Sequence, residues 1–106
     1  MNSNTDELAE IVAKANDMFY SKHAQIDTLM GIMDKTLRKQ GMRADAITLD
    51  CVSADKKIVL LIHDDTPDVV SVAFGNKAGD IFSSSQYQRD SLSENTLVTI
   101  MEDSFI

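Results

Sequence analysis

The sequence predicts an α+β fold: a long N-terminal helix packed on a four-stranded antiparallel meander, followed by a C-terminal helix, in a single domain over residues 1–106. Three observations carry this. Lys57-Ile58-Val59-Leu60-Leu61-Ile62-His63 is a strand-length run that is apolar on both faces, the mark of a strand inside a sheet. The runs flanking it alternate between apolar and polar residues and are bounded by turn residues. Ahead of them, apolar residues recur at helical spacing.

The helix comes first. Asn4 is expected as its N-cap, with Glu7 three residues on completing a capping box. Leu8, Ile11, Val12, Ala15 and Phe19 form one apolar stripe. After the polar patch Ser21-Lys22-His23 the stripe resumes with Ile26, Leu29, Met30, Met33 and Leu37. Arg38 and Lys39 suit a helix C-terminus, and Gly41 suits the C′ position. A helix from Thr5 to Gln40 would be roughly 54 Å long, whereas a domain of this size has a radius of gyration of only ~13 Å. Either the helix breaks near Ser21-Lys22-His23, or its far end packs on a second copy of the chain. The lack of Pro or Gly at that patch favours a continuous or kinked helix, and hence a homodimer.

The meander follows. Strands are expected at about Ala46–Val52, Lys57–His63, Val69–Phe74 and Asp80–Ser84, joined by turns at Ser53–Lys56, Asp64–Asp68 and Gly75–Gly79. Loop lengths set the register. The first turn pairs Leu49 with Leu60, and the second pairs Leu60 with Val72. One face then collects Ile47, Leu49, Cys51, Ile58, Leu60, Ile62, Val70, Val72 and Phe74, and the first helix should cover it. The opposite face is mixed, with an apolar centre at Val59, Leu61 and Ala73, so the last helix or a partner molecule is expected to cover it. The polar stretch Ser83–Asp90 reads as a loop. Ser91 with Glu94 reads as a capping box opening a helix with Leu92, Leu97, Ile100 and Met101 inward, against a competing strand through Thr96–Ile100.

Composition narrows the function. The net charge is −7, and most of the excess lies beyond Ala54, a field that repels nucleic acid and anionic membranes but suits a basic protein partner. A single cysteine excludes an internal disulfide. The N-terminal residues lack a signal-peptide pattern, and no apolar run nears the roughly 20 residues of a membrane span. A soluble, cytoplasmic setting is expected.

Among polar residues, His63, Asp64, Asp65 and Asp68 form the one cluster with metal-ligand or acid–base chemistry. Their spacing matches no calcium loop, and Asp is favoured in turns for its own backbone hydrogen bonds, so a solvated turn is the preferred reading. Cys51 falls on the apolar face, and His63 on the other face at the far end of the hairpin. An inert thiol is therefore expected rather than a nucleophile. His23 is expected to be an exposed histidine, with a pH switch or ligand role as the competing reading. Met18, Met30, Met33, Met42 and Met101 are either core or the lining of an adaptable groove. Gly75 and Gly79 fit a hairpin turn and match no phosphate loop, and Ser83-Ser84-Ser85 has no nucleophile-elbow context. The terminal Phe105-Ile106 is expected to pack against the last helix.

In element order the chain is similar to the dimeric acidic secretion chaperones, a likeness that transfers no residue. The sequence thus points to a small acidic cytoplasmic interaction protein of adaptor, chaperone-like or regulatory kind. It would act as a homodimer open to a protein partner, with no catalysis, no cofactor and no nucleic-acid or membrane partner. The alternative is a small-molecule or metal-binding domain or enzyme using His63 and the Asp64/Asp65/Asp68 turn.

Overall fold

The computed structural model describes residues 3–106, with side chains from Thr5 onward. In chain order the elements are α1 (Ser3–Lys22), β1 (Thr28–Met33), α2 (Lys35–Lys39), β2 (Ala44–Cys51), β3 (Lys56–His63), β4 (Val69–Gly75), β5 (Ile81–Gln88), a 3-10 turn (Arg89–Ser91) and α3 (Glu94–Phe105). The strands form one antiparallel sheet in sequence order, β1-β2-β3-β4-β5. The α+β class and the meander are as expected, with five strands rather than four. The expected Asn4–Glu7 capping box falls partly outside the described residues, since only the backbone of Asn4 is described and it already lies within α1.

The continuous first helix is corrected. α1 ends at Lys22, where the amide of His23 still reaches the Phe19 carbonyl, and Ile26 N–H then closes a turn on the His23 carbonyl. Thr28-Leu29-Met30-Gly31-Ile32-Met33 is a strand, not the second half of a helix. Its apolar residues fit a helical period and a strand period about equally, as short runs often do. Tertiary context decides between them. β2 would otherwise be an edge lined with core residues, and β1 supplies its missing hydrogen-bond ladder. Gly31, costly in a helix interior, sits opposite Thr48, where an added Cβ would lie 2.8 Å from the Thr48 hydroxyl. The predicted stop signals survive on a smaller element. Gly41 (φ +85°) follows α2, with Met42 N–H bonded to the Leu37 carbonyl and Gly41 N–H to the Arg38 carbonyl, a Schellman closure. With α1 about 30 Å long in a molecule measuring 37 × 29 × 21 Å, none of the described helices overshoots the protomer. The length argument for a dimer therefore falls.

The sheet keeps its faces although one register moves. β3–β4 pairs as predicted, with Leu60 opposite Val72 and Ile58 opposite Phe74. In β2–β3, Leu49 lies opposite Ile58 rather than Leu60. The four-residue turn has slid one residue toward the N-terminus, with Asp55 taking the left-handed conformation (φ +51°) that Asp tolerates. Sliding a turn by one residue changes the pairing by two, so every side chain stays on its predicted face. The shift also sets Asp50 directly opposite Lys57.

Eight of the nine expected inward residues are fully buried, and Phe74 packs at the margin of the same cluster. α1 contributes Leu8, Val12, Ala15 and Phe19, and α3 contributes Leu97, Val98, Ile100, Met101 and Phe105. Phe19 meets Phe105 edge to face at 6.1 Å. Both helices thus cover the same side of the sheet. α3 is a helix, as preferred, but its cap is Ser93, whose hydroxyl accepts from Thr96 N–H, rather than Ser91. Ser91 lies in the preceding 3-10 turn. The expected loop Ser83–Asp90 is corrected as well: β5 runs to Gln88, because its backbone completes the ladder of β4.

Candidate functional site

Asp45 occupies an inward position of β2, in line with Ile47, Leu49 and Cys51, and is buried. A carboxylate there must be satisfied. Thr5 on α1 donates its hydroxyl to Asp45 Oδ2 at 3.1 Å. The Arg38 guanidinium, presented by α2, donates to Asp45 Oδ1 through Nε (3.2 Å) and one terminal nitrogen (3.0 Å). The same guanidinium grips Asp64 with two bonds, at 2.9 and 3.0 Å. Asp64 is held below the usual carboxylate range, first by its hydrogen bond from Arg38, and the Arg38 pKa is raised, most by Asp64 and then by Asp45. Arg38 therefore ties α2 to β2 and the β3–β4 turn, and Asp45 carries the link on to α1 through Thr5.

This arrangement redistributes the expected turn cluster. Asp64 spends both oxygens on Arg38. Asp65 reaches Arg43 at 4.0 Å in an exposed position. Asp68 is exposed, and its carbonyl accepts from Arg89 N–H. His63 ends β3 opposite Ala44, exposed. Among the described residues no three His, Cys, Asp or Glu side chains converge as metal ligands would. Arg38 and Asp45 are the partners that sequence reading missed. An aspartate in step with inward-facing Ile47 and Leu49 was the available signal.

The other singled-out residues separate. Cys51 is a buried free thiol at the hairpin end remote from His63. Of the methionines, Met101 is core, Met30 packs beside it, Met33 is on the outer sheet face, and Met18 and Met42 are exposed, so they line no common groove. Phe105 is core, as expected, while Ile106 is exposed.

His23 is a correction: it is not an exposed histidine. Its ring packs on Phe19 with the centroids 4.9 Å apart and the planes tilted by 44°, and its Nε2 lies 2.8 Å from Glu102 on α3, which Lys22 also approaches at 3.1 Å. Glu102 is held below its ordinary value, first by the hydrogen bond from His23 and then by Lys22. A depressed carboxylate contributes stability above its unfolded value, 4.5, and loses it as pH falls through the lower folded value. Asp64 behaves likewise below 3.8. The urea midpoint is therefore expected to fall on acidification below about pH 4.5, and Glu102→Gln is expected to lower the neutral-pH midpoint while flattening that acid limb. A variant with an unchanged acid limb would show that the contact between α1 and α3 carries no charge linkage.

Among the described residues neither α1 nor α3 covers the second sheet face, although the small outward residues of β2, Ala44, Ala46 and Thr48, are buried between their neighbours there. Two cross-strand rows form its middle: Met33, Ala46, Leu61, Ser71 and Gln86, then Gly31, Thr48, Val59, Ala73 and Ser84. Leu29, 62% exposed, extends the apolar part on β1. Among the described residues the titratable side chains of this face sit at its ends, with Asp50 beside Lys57 at one and His63 at the other. Asp50 and Lys57, 4.0 Å apart, offset each other, so the middle of this face is neutral on a chain of net charge −7. Among the described residues no helix is long and apolar enough to cross a membrane. Compared with known protein families, curated proteins and solved structures, the chain matches none.

Proposed function

We propose that this protein is a small cytoplasmic interaction module of adaptor, chaperone-like or regulatory kind, without catalysis of its own, and that it works as a homodimer joined through the second sheet face. The observation that carries this is the one-sided covering of the sheet. Both helices lie on one face, leaving Val59, Leu61, Ala73, Met33 and Leu29 open on the other. Solvated sheet faces carry polar residues at such central positions, and contiguous exposed apolar patches mark interaction sites.

A second copy suits the face in size and charge. Five strands about 4.8 Å apart, each with about seven residues at about 3.3 Å, span about 24 by 23 Å. Two such faces in contact bury more than the ~1,000 Å² that a specific interface needs. Sheets pack face to face at ~10 Å through small and branched side chains, and the two central rows are built largely of these. The neutral middle brings no like charges together despite the acidic chain.

The test is solution mass. Sedimentation is expected to give two copies for the natural chain and one for Leu61→Asp, with an unchanged far-ultraviolet circular dichroism spectrum because Leu61 lies outside the core. A natural chain that stays monomeric up to its solubility limit would overturn the homodimer.

A further inference from the structure

We propose that the outer edge of β5, with the trough between β5 and α3, binds an extended polypeptide segment of basic character as a sixth strand. This rests on reading the protein as an interaction module and names the partner class.

The backbone comes first. Among the described residues β5 has β4 as its only neighbour in the sheet. Arg89 N–H donates to the Asp68 carbonyl at 2.8 Å, one step beyond the Val69–Gln88 pair. Antiparallel ladders alternate, so Tyr87, Ser85 and Ser83 also turn their backbone groups toward β4. The N–H and C=O groups of Ser84 and Gln86 and the N–H of Gln88 therefore point outward with no strand beside them, while the Gln88 carbonyl accepts from the Ser91 hydroxyl at 2.8 Å and closes that end of the edge. Edge strands are commonly blunted by charge or proline, or kept short. β5 runs for eight residues, Ile81–Gln88, with no charge and no proline. Only another extended chain satisfies such an edge group by group.

The side chains supply the second half. Ser83, Ser85 and Tyr87 pair with Phe74, Val72 and Val70, so they face the helix side. Two of the three are serines, too small to reach α3. They leave a trough of ≈ 360 Å³ lined by Phe74, Phe82, Tyr87 and Ile100, with Lys56 and Asp103 at its rim. Phe82 is 71% exposed at the mouth. A strand added to β5 would direct alternate side chains into this trough, where aromatic walls favour apolar groups. Lys56 and Asp103 appear in no ion pair among the described residues, so both are free to meet charged groups of the segment. The net charge of −7 tips the preference toward basic segments.

The probe is a phage-displayed library of random dodecapeptides, selected on the full chain and followed by synthesis of the enriched sequences. Expected are peptides alternating apolar and polar residues, with net positive charge and a Kd of about 1–100 µM. Their binding should slow hydrogen exchange at the amides of Ser84, Gln86 and Gln88. Gln86→Pro removes an outward donor that no strand uses, so it should keep the fold and weaken binding at least tenfold. Ser83→Phe should fill the trough and do the same. Leu61→Asp should bind as the natural chain does, which separates failure of this site from failure of the dimer. Enriched peptides that bind Gln86→Pro and Ser83→Phe undiminished, protect other amides, or never emerge would overturn the proposal. So would protection of the same three amides by rising protein concentration alone, which would make a second copy the occupant.

Discussion

Leu60→Ala is expected to cost about 2–5 kcal/mol of folding stability, while Leu61→Ala, one residue on, should cost less than about 1.5 kcal/mol under conditions where the chain is monomeric. The two leucines are neighbours on the central strand β3. Leu60 lies between Ile47 and Val72, fully buried beneath both helices. Its truncation leaves a void that strands paired on both sides cannot close. Leu61 points the other way, toward the open face, and is only half-buried. Against a total stability of about 5–15 kcal/mol, the first change takes a large share. Urea unfolding at low protein concentration measures both. Equal costs would mean that the outer face is packed in the monomer. A Leu61→Ala cost that grows with protein concentration would be the linkage expected of a dimer joined there.

That asymmetry was legible in the sequence because it depends on parity alone. The turn between β2 and β3 lies one residue from its expected place, yet Leu49, Leu60 and Val72 still share a side. A turn of unchanged length that slides moves two strands at once and changes their pairing by an even number. The apolar centre of the second face was readable for the same reason. β1 was not. Leu29, Met30, Met33 and Leu37 satisfy a helical period, and what makes Thr28–Met33 a strand is the unpaired edge of β2, which no local window contains. Gly31 was the local warning, since a helix interior disfavours it and a close strand approach to Thr48 requires it. The second half of β5, beyond the expected end at Ser84, escaped for a related reason: Ser83-Ser84-Ser85-Gln86 carries no periodicity, so its strand state comes from β4. Arg38 lay beyond reach because its partners, Asp45 and Asp64, are brought together only when α2 folds over the end of the sheet.

Gly75→Ala is expected to cost about 3 kcal/mol, more than Gly79→Ala at about 1–2 kcal/mol, although only Gly79 has a positive φ, +97°. The two glycines serve different needs. Gly79 occupies a left-handed corner with open space around it, so a methyl group there brings backbone strain alone. At Gly75 the methyl carbon would sit 2.0 Å from the Asp80 carbonyl oxygen, a backbone atom. That oxygen cannot withdraw freely, because it accepts Asn76 N–H at 3.1 Å while the Asn76 side chain holds Asp80 N–H at 3.0 Å. Making room means opening the turn where β4 and β5 slip register. The damage should therefore spread along β5. Amides of Ser83 and Ser85, bonded to β4, should exchange faster in Gly75→Ala than in Gly79→Ala at equal denaturant, and peptide capture at the free edge should weaken with them. A reversed order of stabilities would mean that Asp80 yields, and that the hairpin beside the trough is looser than its hydrogen bonds imply.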